Sequence, residues 1–388
     1  MQTHGVRAAR LISRHHHHHH HRLTLLLVKM QPFVYSPLPH RIVFGQGSIR
    51  QLPKCLQELG FSRPLVLSTP QQVDQAKQIT TILEPHVGAT WIFSEATMHT
   101  PLDITEKALQ FCQEKQPDVL VSIGGGSTTG LGKAISFRKG IYHIAIPTTY
   151  AGSEVTPILG ETVDGVKKTQ THLSILPKTV IYDVDLTLTL PLSMSLTSII
   201  NALAHAIEAL YAPNINPIVN LMAAEGVKSL SRGAYELLDD PNSISARSAC
   251  QYGAWLCGTC LGSVGMSLHH KLCHTLGGSF NLPHAETHTI ILPHALAYNA
   301  PRVPDAMKIL AGAFQDSDGD ALRGLNNLLR TLGVPRSLES LGFKEADIDK
   351  AADLAVSKSY PNPRVINRDL IREVIRRAWA GEEAKADL

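Results

Sequence analysis

The chain has 388 residues, of which 44% are hydrophobic and 18% charged, with a formal net charge of +3. That length exceeds one ordinary core and predicts a two-domain globular protein. No polybasic cluster or basic–aromatic interleaving is present, which argues against nucleic acid as a partner. The longest apolar run near the start, Leu23–Val28, is too short to cross a bilayer.

The uninterrupted histidines at His15–His21 read as a purification tag, so residues 1–29 are set aside as tag and linker, with Met30 as the native start. No signal peptide is evident before Met30, and a reducing cytoplasm is the expected compartment. The six cysteines, at positions 55, 112, 250, 257, 260 and 273, are too few and too unevenly spread for a disulfide scaffold. Cys257 and Cys260 form a CxxC in an apolar setting, without a second ligand pair at matching spacing. They read as buried helix cysteines.

From Arg41 to about Leu190, short β-rich runs alternate with helical stretches. Pro64–Ser68, Ala89–Phe93, Asp118–Ile123 and Tyr142–Pro147 are predicted strands. Their few polar interruptions imply a parallel sheet covered on both faces. From Pro191 onward long apolar or amphipathic helical patterns dominate, at Ser198–Tyr211, Asn216–Leu238, Ser243–Leu261 and Met266–Leu276. The expectation is a Rossmann-like α/β domain over 30–190 that binds a dinucleotide, and an all-helical domain over 191–388. The active site then lies in the cleft between them.

Gly124, Gly125, Gly126, Ser127 and Thr128 directly follow a predicted strand, with a helix expected from Leu131. Glycines let backbone N–H groups approach a diphosphate, and a helix start adds free donors and a favourable dipole. The run matches neither GxGxxG nor a Walker loop. A second polar loop, Pro147–Thr156, emerges at the same sheet edge, where Thr148, Thr149 and Ser153 can bond the diphosphate or the nicotinamide amide. Leu67-Ser68-Thr69-Pro70 ends what is read as the first strand without a carboxylate, which predicts that NADPH is tolerated as well as NADH.

Asn201 and His205 share a helix face, as do His270 and His274; His284, His288 and His294 follow. Imidazoles at this spacing either ligate a divalent metal or bind anions and move protons.

Taken in order, these segments resemble the iron-containing alcohol dehydrogenase superfamily. The resemblance rests on Gly124–Ser127, Pro147–Thr156, the helix Asn201–Leu210, the run His270–Gly278, and the Leu-Pro-His triplets ending at His284 and His294. It covers nearly all of the chain after the tag and implies the dehydroquinate synthase-like fold, an α/β domain plus an all-α domain. It also implies iron or zinc on an aspartate and three histidines, at positions 201, 205, 270 and 284, with His274 near the nicotinamide. Position 201 is Asn, however, and an amide is a poorer ligand for a divalent cation than a carboxylate. No metal requirement is therefore expected.

The chain is further similar to the maleylacetate reductase branch in Asn201, Thr148–Glu154, Met98-His99 and Tyr360–Arg364. That similarity implies NADH- or NADPH-dependent reduction of the C=C bond of maleylacetate, and of its chlorinated relatives, to 3-oxoadipate in aromatic-compound breakdown. It also implies a homodimer. Imidazolium groups at His205, His270 or His284 are expected to stabilise the enolate, and His274 to donate the proton. Arg364 and Tyr150 are candidate anchors for the dicarboxylate substrate, together with His205 and His270. The alternatives are a metal-dependent alcohol or polyol dehydrogenase, an NAD-using synthase of dehydroquinate synthase type, and a redox-sensing nucleotide binder.

Overall fold

The structure, a computed structural model, describes residues 30–388; the histidine run and the rest of the tag lie outside the described residues. Six parallel strands form one sheet in the order β1-β8-β5-β4-β2-β3. In chain order the strands are β1 (Arg41–Phe44), β2 (Pro64–Leu67), β3 (Trp91–Phe93), β4 (Val119–Gly124), β5 (Tyr142–Pro147) and β8 (Thr179–Tyr182). Helices α1 (Leu52–Leu59), α2 (Val73–Leu83), α3 (Leu102–Lys115) and α4 (Gly126–Lys139) cover the two faces. The pleat divides the strand residues between these layers. Val66, Val119, Val121 and Ile144 pack with Leu52, Leu56, Ile79 and Leu83 on one face. Leu65, Leu67 and Leu120 pack with Ala108, Leu131 and Ile135 on the other.

All four predicted strands are present, but β2 is not the first of the sheet, because Arg41–Phe44 pairs at the edge with β8. An antiparallel hairpin, β6 (Ile158–Val163) and β7 (Val166–Thr171), also joins the α/β part. Asp164 (φ 52°) and Gly165 (φ 73°) form its two-residue turn, both left-handed as a type I′ turn requires. Chain direction across the sheet reverses between β2 and β4, since β3 lies outside β2 and β5 outside β4. The carboxyl ends of β2 and β4 therefore open on a crevice suited to a ligand.

Strands stop at Tyr182, and α5 (Leu192–Leu210) opens the helical part. Every residue of α5 from Ser195 to Leu210 is buried. It is a central helix enclosed by α6 (Pro217–Asp239), α7 (Ile244–Val264) and α9 (His284–Asn299), with α8 (Leu268–Phe280) packed on α9. Beyond these, α10 (Pro304–Ala313), α11 (Ala321–Leu332), α12 (Ile348–Val356) and α13 (Arg368–Ala380) complete the chain. Cys257 and Cys260 are buried, unpaired, on α7. No helix among the described residues is long and apolar enough to cross a membrane.

Helix α7 meets the loop after β5 at backbone distance. A Cβ on Gly258 would stand 2.3 Å from the Gly152 carbonyl oxygen and 2.6 Å from Val155 Cγ2. Gly258→Ala is therefore expected to destabilise the fold by about 1–3 kcal/mol through overpacking. The urea midpoint should fall, because the loop after β5 cannot keep its place against the helix.

Candidate active site

A cavity of about 830 Å³ lies at the carboxyl end of the sheet and reaches the helices. Its sheet side is lined by Thr69, Gly125, Gly126, Ser127, Thr148, Thr149 and Ser153. Gly124 sits behind this surface at φ +151°, where a Cβ would come within 2.7 Å of Thr128 Oγ1; only glycine combines that backbone with that approach. Helix α4 starts at Gly126, earlier than the expected Leu131, and no side chain caps it. Its first N–H groups are thus free for an anion. The Thr128 and Ser153 hydroxyl oxygens are buried without a hydrogen-bond partner. Gln72 and Asp74 of the β2–α2 region also line the cavity. Gln72 Nε2 donates to Thr148 Oγ1 at 3.1 Å. The reading of Leu67–Pro70 alone missed this carboxylate at Asp74.

The helical side brings together Asn201 and His205 from α5, His270 and His274 from α8, and His284 and His288 from α9. Ring centroids are 5.2 Å apart for His205–His270, 6.0 Å for His270–His274 and 4.4 Å for His284–His288. Asn201 Nδ2 lies 3.5 Å from His284 Nε2. Burial, reinforced by neighbouring positive groups, pushes His205, His274, His284 and His288 well below the ordinary histidine range. At neutral pH these rings are uncharged. The imidazolium charge expected at His205 and His284 is accordingly corrected to neutral hydrogen-bonding groups.

Sequence reading overlooked Glu208. It is fully buried on α5, one turn beyond His205. Its Oε1 accepts from His270 Nδ1 at 2.9 Å and from the backbone N–H groups of Ser267 and His270 at 2.8 and 3.0 Å. Oε2 accepts from the Tyr211 hydroxyl at 2.8 Å. Burial raises this carboxyl, but the His270 hydrogen bond and the His270 and His269 charges outweigh it and hold the group at about 2. The arrangement fixes the His270 ring and leaves Nε2 as its nitrogen without a partner. A lone acid in an otherwise apolar helical segment was the available signal.

Two cations line the cavity that the sequence did not single out. Lys133, buried on α4, donates to Thr156 Oγ1 and the Ile158 carbonyl, both at 3.0 Å, and so ties down the loop after β5. Lys167 enters from β7. Met98-His99 is also part of the wall. His99 (φ 67°) and Thr100 (φ 46°) are both left-handed, a strained backbone at a lining position.

Two expected substrate anchors are corrected. Tyr150 has no exposure and stands behind the cavity wall, its hydroxyl accepting from Arg247 Nη1 at 3.2 Å. Arg364 lies outside the lining residues. It donates to the backbone oxygens of Tyr298 and Leu388 at 2.9 and 2.8 Å and stacks 4.3 Å over the Tyr298 ring, which holds it away from the cavity.

The donors at 201, 205, 270 and 284 depart from the ligand set that the resemblance implies. The quartet contains no carboxylate, and both oxygens of Glu208 are engaged behind His270. Among the described residues, the only three His, Cys, Asp or Glu donors within 4.8 Å of one another are His269, Cys273 and His288. Asn201 Oδ1, His205 Nδ1 and His270 Nε2 are buried without a hydrogen-bond partner.

Known proteins place this geometry. Residues 39–184 match the iron-containing alcohol dehydrogenase model and residues 195–379 the Fe-containing alcohol dehydrogenase family, C-terminal. A maleylacetate reductase of Rhizobium sp. strain MTP-10005 is 50% identical over 352 residues, covering 91% of this chain and 99% of that protein. One from Burkholderia cepacia is 49% identical, with the same shares. The crystal structure of maleylacetate reductase from Agrobacterium tumefaciens superposes with a TM-score of 0.84 at 50% identity, over 91% of this chain and all of that one. An iron-containing alcohol dehydrogenase from Corynebacterium glutamicum gives a TM-score of 0.84 at 38% identity, over 91% of this chain and 98% of that one. The chain belongs to the iron-containing alcohol dehydrogenase family.

Proposed function

We propose that this chain reduces the C=C bond of maleylacetate to 3-oxoadipate with NADH or NADPH and without a metal. The observation that carries the reading is the amide at Asn201 among the imidazoles, in one cavity with the Gly125–Ser127 helix start, in a chain near 50% identity to maleylacetate reductases over their whole length. Residues 30–190 hold the nucleotide, with the diphosphate on the α4 N-terminus and the Thr148–Ser153 loop. Residues 191–388 complete the active site.

When bound against this wall, the reduced nicotinamide would supply a hydride to the alkene carbon β to the ketone. The π electrons move to the ketone oxygen as an enolate, and a proton then adds to the neighbouring carbon. Neutral His205 and His284 and the Asn201 amide donate hydrogen bonds to the developing oxyanion. His270 is the better proton donor, because Glu208 balances a charge that forms on its ring. His274, the donor expected from sequence, has no hydrogen-bonded carboxylate behind it and is assigned to the nicotinamide. A cytoplasmic homodimer accompanies this reading.

Oxidation of NADH and of NADPH by tag-free protein, with maleylacetate set against a panel of simple aldehydes, tests the proposal. Both cofactors are used because Thr69 is uncharged while Asp74 is not. The expected result is 3-oxoadipate formation that a chelator leaves intact. Aldehyde reduction without maleylacetate turnover, or chelator inhibition reversed by added metal, would overturn it.

A further inference from the structure

We infer that Lys167 is the anchor for a carboxylate of the substrate, and that the β6–β7 hairpin exists in part to deliver it; this rests on the dicarboxylate reading above. Hairpin strand β7 is otherwise turned outward: its other five residues are exposed, and Lys167 alone is partly buried. The lysine reaches the cavity through a notch cut by two glycines. A Cβ on Gly160, across the hairpin, would stand 2.5 Å from Lys167 Cε, and a Cβ on Gly278 of α8 would stand 2.5 Å from Lys167 Cβ. A side chain at either position would close the passage that the lysine stem occupies.

Among the described residues the Lys167 ammonium makes no salt bridge and Glu208, the buried acid of the site, is engaged elsewhere. Burial lowers Lys167 to about 8, and the buried Cys273 beside it is held as a neutral thiol. Lys167 lines the same cavity as His99, His274 and His284. Glu161, on the same hairpin, is taken by Arg138 at 2.7 Å. A cation held without a carboxylate beside neutral imidazoles is a receptor for an anion, since pairing restores what burial removed. The Tyr150 and Arg364 corrections leave the dicarboxylate without the side chains expected to anchor it. Lys167 supplies the missing charge, and it determines specificity for an acid over an aldehyde or alcohol.

The decisive variant is Lys167→Met in tag-free protein, assayed for KM toward maleylacetate and NADH separately. A parallel measurement is fumarate binding, read from the fluorescence of enzyme-bound NADH. Loss of a charge-assisted hydrogen bond should raise the maleylacetate KM and weaken fumarate by roughly 10- to 100-fold, with the NADH KM unchanged and Lys167→Arg partly restoring affinity. An unchanged maleylacetate KM and fumarate affinity overturns the proposal. So does a rise in the NADH KM by the same factor, which assigns the ammonium to the cofactor diphosphate. If Lys167→Met does not fold, Gly160→Ala, which displaces only the flexible end of the lysine, should raise the maleylacetate KM in the same selective way, and failure to do so overturns it. A wild-type chain that binds fumarate but turns over no maleylacetate sinks the functional reading while leaving the anchor to be judged by binding.

Discussion

Glu208→Ala lowers stability by about 3–5 kcal/mol and abolishes most of the reductase activity in whatever folds. The figure follows from what is left behind: removing one partner of a buried charged network strands the others. Here the stranded groups are two backbone N–H donors, the His270 ring and the Tyr211 hydroxyl. The α5–α8 junction loses its pin, and His270 loses the contact that selects its tautomer. Glu208→Gln keeps the shape but not the charge and is expected to fall between the two. The same carboxylate sets an acid limb. Its folded pKa, about 2, is depressed below the ordinary 4.5. Its contribution, on the order of 3 kcal/mol from that shift, is therefore fully present above pH 4.5 and is lost as pH falls toward 2. Urea midpoints across that window should decline in the parent and flatten in Glu208→Gln. A parallel decline in both proteins would remove Glu208 as the cause.

The parts of this site legible in the sequence are those written in local patterns. A run of valines, leucines and isoleucines ending at Gly124–Gly126 can only be a buried strand turning tightly into a helix. Asn201 with His205, and His270 with His274, announce themselves by helical spacing in apolar surroundings, and His284 by the Leu-Pro-His triplet that it ends. What stayed hidden depends on partners distant in sequence. Strands β1 and β8 have only four residues each, and their pairing spans the whole α/β part. The hairpin was masked because Val166–Thr171 is mostly polar and exposed, although Asp164-Gly165 is a turn signal. Tyr150 and Arg364 were misplaced for a related reason. Residue type suggests anion binding, but direction decides, and Arg247 and the chain end claim these groups. Burial likewise reverses the charge assigned to the histidines, and burial is a property of the packed chain rather than of any segment.

Asn201→Asp should raise metal binding at the site while reducing maleylacetate turnover by about 10²–10³-fold. The substitution is nearly isosteric at a buried position, so the fold is retained. The new carboxylate stands among rings that burial keeps neutral. An unpaired buried charge is strongly unfavourable, and a divalent cation held by the carboxylate with His205, His270 and His284 relieves it. Elemental analysis of tag-free protein should therefore show zinc or iron near one equivalent in the variant and well below one in the parent. Without metal, the carboxylate faces the developing enolate and the substrate carboxylates. Two like charges about 4 Å apart repel by roughly 4 kcal/mol at an effective dielectric of 20, which matches the predicted loss of rate. The kinetic signature is a fall in kcat/KM together with new chelator sensitivity of whatever activity remains. Full metal-free activity in Asn201→Asp would show that position 201 does not face the reacting atoms. One equivalent of metal in the parent would show that three imidazoles and an amide are already a sufficient ligand set.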